Sequence, residues 1–217
     1  WLDKIKRDAQ VIFLLGDLFD FWFEYYKSVP KGFTRVLGKL AELSDSGIKI
    51  YFFVGNHDYW TRDYFQEEIG MEVLKKPTEF KINNKLFFIG HGDGLGPGDF
   101  KYKFLKKVFR NPLFIFLFRI NYPWFGIPLG NFFSRKNKIL SGNNIEFKSK
   151  ENEKLFHFCK KKLNVKHYDF FVFGHRHLPL KIELGNNSYY FNTGDWINHY
   201  SYLHFKNDIP QLKYFKE

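Results

Sequence analysis

Five short apolar runs in this chain each end in a polar turn, and that repeated arrangement narrows the folds open to it. Val11 to Leu15 leads into Gly16-Asp17-Leu18-Phe19-Asp20, and Ile50 to Val54 into Gly55-Asn56-His57-Asp58. Leu86 to Ile89 leads into Gly90-His91-Gly92-Asp93, and Phe170 to Phe173 into Gly174-His175-Arg176-His177. Tyr189 to Phe191 ends in Asn192-Thr193-Gly194-Asp195. Continuous apolar runs of this length predict strands buried on both faces. A glycine beside each end lets the backbone turn sharply and present a polar side chain there. Five strand ends carrying Asp, Asn and His predict one convergent site.

The rest of the pattern fits around those strands. Phe33, Val36, Leu37, Leu40 and Leu43 recur at helical spacing, and Gly47 closes that helix before the next strand. Leu155, Phe156, Cys159 and Leu163 predict a second helix over Glu151 to Leu163. Asn83-Asn84 and Gly185-Asn186-Asn187 lie between apolar stretches as hairpin turns, and a third hairpin joins Tyr202–Phe205 to Leu212–Phe215. Strand–helix alternation followed by hairpins predicts mixed sheets covered by helices, an α/β (α+β) class. With 217 residues, 44% hydrophobic and 26% charged, the chain is expected to be globular and to form one domain. Its only cysteine, Cys159, excludes an internal disulfide, favours a reducing compartment, and reads as a packed helix residue.

The stretch from Phe100 to Lys138 breaks the rhythm. It carries nine Lys and Arg and no Asp or Glu, with Phe104, Phe109, Phe114, Phe116, Phe118 and Trp124 between them. Pro112, Pro123 and Pro128 are expected to cut it into short helices, giving an inserted cap over about 99–140. Aromatics make up 22% of the chain and the net charge is +11, which points to an anionic partner: nucleic acid, anionic lipid or a phosphorylated substrate. Basic plus aromatic composition suits an anionic membrane surface or a lipid ligand, against the blander reading of a solvated basic face over an aromatic core. Its longest apolar run, Leu113 to Phe118, is far too short to span a bilayer.

Asp carboxylate, Asn carbonyl and His imidazole together suit divalent transition metals such as Mn, Fe or Zn. A lone His is more often a satisfied core residue. Here His91, His175 and His177 join Asp17 and Asn56, each just past an apolar run. The His-x-His pair would put both rings on one side of an extended segment. A carboxylate such as Asp17 can bridge two cations, and two metals about 3.5–4 Å apart can clamp a phosphoryl group.

Gly16-Asp17-x-x-Asp20, Gly55-Asn56-His57-Asp58, His91-Gly92-Asp93 and Gly174-His175-x-His177 resemble, in order, the blocks of the calcineurin-like metallophosphoesterases. Gly16 to Trp22 and His91 to Asp99, with the basic aromatic insert that follows, further resemble the UDP-2,3-diacylglucosamine diphosphatases. The resemblance covers essentially the whole chain. It implies a four-layer α-β-β-α sandwich, a helical cap over the substrate, and two divalent metal ions, usually Mn2+. Asp17 would bridge the metals, with Asn56, His91, His175 and His177 completing much of their shell. His57, oriented by Asp58, would stabilise the phosphoryl charge, and Asp20 would support the loop. Trp22, Asn56, His57, Asp99 and Tyr102 match substrate-contacting positions, and Ser134, Arg135, Asn137 and Lys138 are candidate headgroup contacts in the cap. The implied reaction splits the pyrophosphate of UDP-2,3-diacylglucosamine into UMP and 2,3-diacylglucosamine 1-phosphate, a lipid A precursor. The enzyme would rest on the cytoplasmic face of the inner membrane, with no nucleic-acid partner.

One departure bears on that expectation. The resembled family's first block, Asp-x-His after the first strand, is absent from these 217 residues, and the chain begins with Trp1 rather than Met. The expectation is that a strand, loop and helix of roughly 20–30 residues belong upstream. Two alternatives stay open: a metal-dependent nuclease or nucleotide phosphodiesterase, and a non-catalytic membrane- or nucleic-acid-binding relative.

Overall fold

The computed structural model describes residues 1–141 and 147–216, with side chains outside 133–146. In chain order the first elements are α1 (Leu2–Ile5), β1 (Val11–Leu14), α2 (Thr34–Asp45), β2 (Lys49–Phe53), α3 (Tyr64–Glu67) and β3 (Glu72–Leu74). There follow β4 (Thr78–Ile82), β5 (Lys85–Gly90), α4 (Phe100–Phe109), α5 (Pro112–Arg119) and α6 (Pro123–Ser141). The last are α7 (Lys154–Leu163), β6 (Phe170–Phe173), β7 (Pro179–Gly185), β8 (Ser188–Thr193), β9 (Ser201–Lys206) and β10 (Ile209–Tyr214). These elements make mixed sheets and helices, the α/β class that the strand and helix pattern predicts. Where the sequence reads as one domain with an insert, the residues cluster as two compact units. One joins Trp1–Lys75 to Phe100–Asn143, and the other joins Lys76–Asp99 to Asn144–Glu217.

In the first unit, β1, β2 and β3 form a parallel sheet in that order. Leu37, Leu40 and Leu43 recur every three residues on α2 and are buried against Ile12, Ile50, Phe52 and Phe65. β1 differs from the doubly buried strand expected. Val11 is 44% exposed and only Ile12 is fully covered, because β1 lies at the edge of this sheet among the described residues. The strand β3 has only three residues, too few for a period to show in the sequence.

The insert's helices belong with this first unit. Phe118 packs on Phe21, Phe23 and Trp60, and Ile115 and Ile127 join that cluster. Pro128 does not cut α6 as expected, since the helix runs through it. A proline inside a helix removes one backbone bond and clashes with the preceding turn, so packing has to hold the helix together. A β-carbon on Gly130 would lie 2.2 Å from Phe21 Cζ, and one on Gly126 would lie 2.1 Å from Tyr25 Oη. These two glycines, four apart on one helix face, let α6 press directly onto the Phe21–Tyr25 segment.

In the second unit, β4, β5, β6, β8 and β7 form a mixed sheet in that order, and β9 pairs with β10 as a hairpin. The central strand β6 is buried at every residue, as its apolar run predicts. Helix α7 lays Leu155 and Cys159 against Phe171, Phe173 and Tyr190. Burial pushes the Cys159 thiol well above its usual range, in keeping with a packed residue rather than a nucleophile.

Candidate active site

Parallel pairing in register sets the first group of polar residues. Leu14 of β1 stands opposite Phe52 of β2, so the turns that follow leave the sheet side by side. Asp17 holds a left-handed φ of 52°, a conformation Asp tolerates better than bulkier residues. Gly55 is obligatory beside it, because a β-carbon there would lie 2.2 Å from Asp17 Oδ1 and 2.5 Å from its backbone nitrogen. The Asp17 carboxylate accepts the His57 backbone N–H at 2.9 Å. Asp58 is fully buried and accepts the backbone N–H groups of Gly55 and of Leu18, the latter at 3.1 Å. Its carboxylate thus ties the two turns to each other. The His57 ring meets the backbone carbonyl of Asp20 through Nδ1 at 2.8 Å. A carbonyl can only accept, so Nδ1 carries the proton in that bond. Orientation of His57, expected from Asp58, therefore includes a bond to Asp20, which supports the loop through its main chain.

Three strand ends build the second group. β5, β6 and β8 are parallel neighbours, with Gly90 opposite Phe173 and Phe173 opposite Asn192. Gly174 donates its N–H to the His91 carbonyl at 3.0 Å, and Asn192 Nδ2 donates to the Gly174 carbonyl. His91 is buried, and its ring meets that of His175 edge to face with centroids 5.0 Å apart. The His-x-His segment is not the extended stretch expected. His175 and His177 have φ of 64° and 52°, and Arg176 donates its N–H to Gly174 at 2.7 Å, closing a tight turn. His175 consequently stands with His91, while His177 Nδ1 is 3.9 Å from Asp195 Oδ2.

Asp195, part of the fifth strand end but given no role from sequence, anchors the next turn. Its Oδ1 accepts the N–H groups of Ile197, Asn198 and His199 at 3.0, 2.7 and 3.0 Å. Burial alone would raise its pKa, but the N–H groups of Asn198, His199 and Ile197 and the His199 ring outweigh it and hold the carboxyl at about 2.

The expected substrate contacts fare unevenly. Trp22 is fully buried, packed on Phe19 and Phe65, with its indole N–H bonded to Glu24 at 3.0 Å. Asp99 is exposed and paired with Lys154 at 2.5 Å. Tyr102 Oη lies 3.3 Å from Tyr59 Oη, and Arg110 stacks over the Tyr59 ring, 5.1 Å from its centroid. The side chains of Ser134, Arg135, Asn137 and Lys138 lie outside the described residues, although their backbone belongs to α6.

Within the first unit, then, a carboxylate and an amide-bearing turn stand together. Within the second, two imidazoles stand edge to face. Both donor types fit a divalent transition metal. A model of the calcineurin-like phosphoesterase family matches residues 1–179, and this chain belongs to that family. Membership implies divalent-metal binding. The chain is also 39% identical over 216 residues to a UDP-2,3-diacylglucosamine hydrolase of Porphyromonas gingivalis, covering 93% of this chain and 82% of that protein. A UDP-2,3-diacylglucosamine hydrolase of Ectopseudomonas mendocina is 29% identical over 196 residues, covering 88% of this chain and 78% of its own. The resemblance read from the four motifs is borne out.

Proposed function

We propose that this chain hydrolyses the pyrophosphate bond of UDP-2,3-diacylglucosamine, releasing UMP and 2,3-diacylglucosamine 1-phosphate, at the cytoplasmic face of the inner membrane. The 39% identity to the Porphyromonas gingivalis hydrolase over nearly the whole chain supports the substrate class. The observation that carries the acyl part is the outward face of the insert. Phe100, Phe104, Leu113, Phe116, Tyr122 and Trp124 are all between 49% and 82% exposed. Large apolar patches left open mark sites for a lipid, a membrane or a partner. A nucleotide needs no such area, whereas each acyl methylene removed from water contributes about 0.8 kcal/mol. Of the aromatics named from sequence, Phe109 and Phe118 turn inward onto Trp60, so the acyl-facing set is smaller than expected.

In this reading Asp17, Asn56, His91, His175 and His177 are the candidate ligands of two divalent ions, Mn2+ being the first candidate. Bound ions supply positive charge for the phosphoryl oxygens and lower the pKa of water. The chain's own part is to place the diphosphate. His57, fixed by Asp20 and by its backbone bond to Asp17, stands to stabilise charge as the bond breaks. The basic residues of α4, Lys101, Lys103, Lys106 and Lys107, can meet both diphosphate and anionic lipid headgroups. No helix among the described residues is long and apolar enough to cross a membrane.

Turnover of the diacylated UDP-sugar should greatly exceed that of UDP-glucosamine and of single-stranded DNA or RNA. Replacing Phe104, Phe116 and Trp124 with Ser should erase the acyl preference while sparing hydrolysis of a small soluble phosphodiester. Equal rates on acylated and deacylated substrates, or faster cleavage of nucleic acid, would overturn the lipid reading in favour of a nuclease.

A further inference from the structure

Beneath the His175-Arg176-His177 turn lies a buried charge that no step above uses. Glu153, just before α7, is 3% exposed, and both its oxygens lie 3.1 Å from Arg176 Nε. Tyr190 and Asn192, each fully buried, continue this polar layer, with Asn192 Nδ2 3.4 Å from Tyr190 Oη. Arg176 is the residue between two histidines that both hold left-handed φ. Such backbone is strained for a residue with a side chain and persists only where its surroundings fix it. At the main chain, Arg176 is fixed by its N–H bond to Gly174; at the far end of its side chain, by Glu153.

Net stability is a weak reason for such a pair. Arg176 is 31% exposed beside the 3% exposed Glu153, and replacing such a pair with apolar residues of similar size is often close to neutral, whereas removing Arg176 alone leaves a costly buried charge. What apolar residues could not supply is a directional link from α7 to the histidine turn. We propose that Glu153 is a positioning residue that acts through Arg176, setting the orientation in which His175 and His177 meet a divalent ion. The proposal rests on the reading of those histidines as metal ligands. Groups that orient ligands from behind typically change metal affinity or activity by about 10–100-fold when removed.

The test measures Mn2+ affinity by calorimetry, beside thermal unfolding and steady-state kinetics. His175→Ala should lose metal; full metal content there would overturn the ligand reading, and this proposal with it. The double variant Glu153→Met, Arg176→Met removes both charges together. It should unfold within a few degrees of wild type yet bind Mn2+ about 10–100-fold more weakly, with the loss falling on kcat rather than KM. Wild-type affinity in the folded double variant, alongside metal loss in His175→Ala, overturns the proposal alone. Should the double variant fail to fold, Glu153→Asp decides. It keeps both charges but draws Arg176 back by one methylene, so weaker Mn2+ binding is expected and unchanged binding refutes the positioning role.

Discussion

Replacing Glu24 with Ala should destabilise the protein by about 2–5 kcal/mol and slow turnover at the same time. Glu24 is buried, and its carboxylate collects four donors. Oε1 accepts the Trp22 indole N–H at 3.0 Å, and Oε2 accepts the backbone N–H groups of Arg62, Asp63 and Tyr64 at 2.7, 3.1 and 3.3 Å. Those three amides open α3, whose own preceding residue, Asp63, provides no side-chain cap. Losing the borrowed cap should cost about 1–2 kcal/mol. Arg62 and Asp63 lie toward solvent, where water can replace the carboxylate. Trp22 is fully buried, so its stranded indole N–H adds roughly 1–3 kcal/mol. Removing a buried charge returns some desolvation energy, but four donors make this a well-compensated carboxylate. Against a typical total of about 5–15 kcal/mol the fold should survive. Function suffers because Trp22 donates its backbone N–H to the His57 carbonyl at 2.9 Å, so loosening this segment loosens His57. Urea unfolding gives the stability change, and kcat on a soluble phosphodiester gives the functional one. Glu24→Gln, which keeps one acceptor but turns an NH2 towards the remaining donors, should fall between Ala and wild type. A loss below about 1 kcal/mol for Glu24→Ala at unchanged m-value would refute the compensation argument.

Three further outcomes follow from single contacts. His57→Ala keeps the backbone N–H that holds Asp17, so it should retain bound metal while turnover falls about 10²–10³-fold; parallel loss of metal would make His57 a ligand instead. Gly130→Val drives a branched side chain into the Phe21 ring, so α6 should lift from the first unit, read as increased protease cleavage within the insert and a lower unfolding midpoint. Asp169 would be raised by burial, but the Leu86 N–H at 2.8 Å and Lys85 at 3.0 Å outweigh this and hold it below the usual 3.8. A depressed folded pKa means stability present above 3.8 and lost as pH falls through the lower folded value. The urea midpoints of wild type and Asp169→Asn should therefore converge below pH 3.8 and separate above it, and a constant gap would show that this linkage is absent.

What the sequence made legible was local. An apolar run closed by Gly-Asp, Gly-Asn-His or Gly-His is both the strand and its turn, so β2, β5, β6 and β8 and the polar residues after them could be read directly. What it hid depends on partners far along the chain. Glu24 looks like one more surface acid until the Arg62–Tyr64 amides are placed on it, and Glu153 until Arg176 is. Trp22 sits in a motif whose local pattern gives no sign of its packing on Phe19 and Phe65. Pro128 carried a strong local signal for a break, and the Gly126–Gly130 face overrode it.

The aromatics of the insert divide between an inward and an outward side. Helix α5, Pro-Leu-Phe-Ile-Phe-Leu-Phe-Arg, is apolar on every side. A helix of that kind is stable only when it is covered all round. One side is covered: Ile115 and Phe118 meet the Phe21–Phe23–Tyr25 cluster, and Phe114 meets Phe109. The opposite side is not, with Leu113, Phe116 and Leu117 each about half exposed or more. Eight residues reach only about 12 Å, too short to cross a bilayer, so the uncovered side suits a surface or a ligand rather than a span. Lys101, Lys103, Lys106 and Lys107 on the neighbouring α4 favour negatively charged company for that side. An acylated diphosphate offers both apolar chains and negative charge in one molecule, and an anionic membrane surface offers the same pairing.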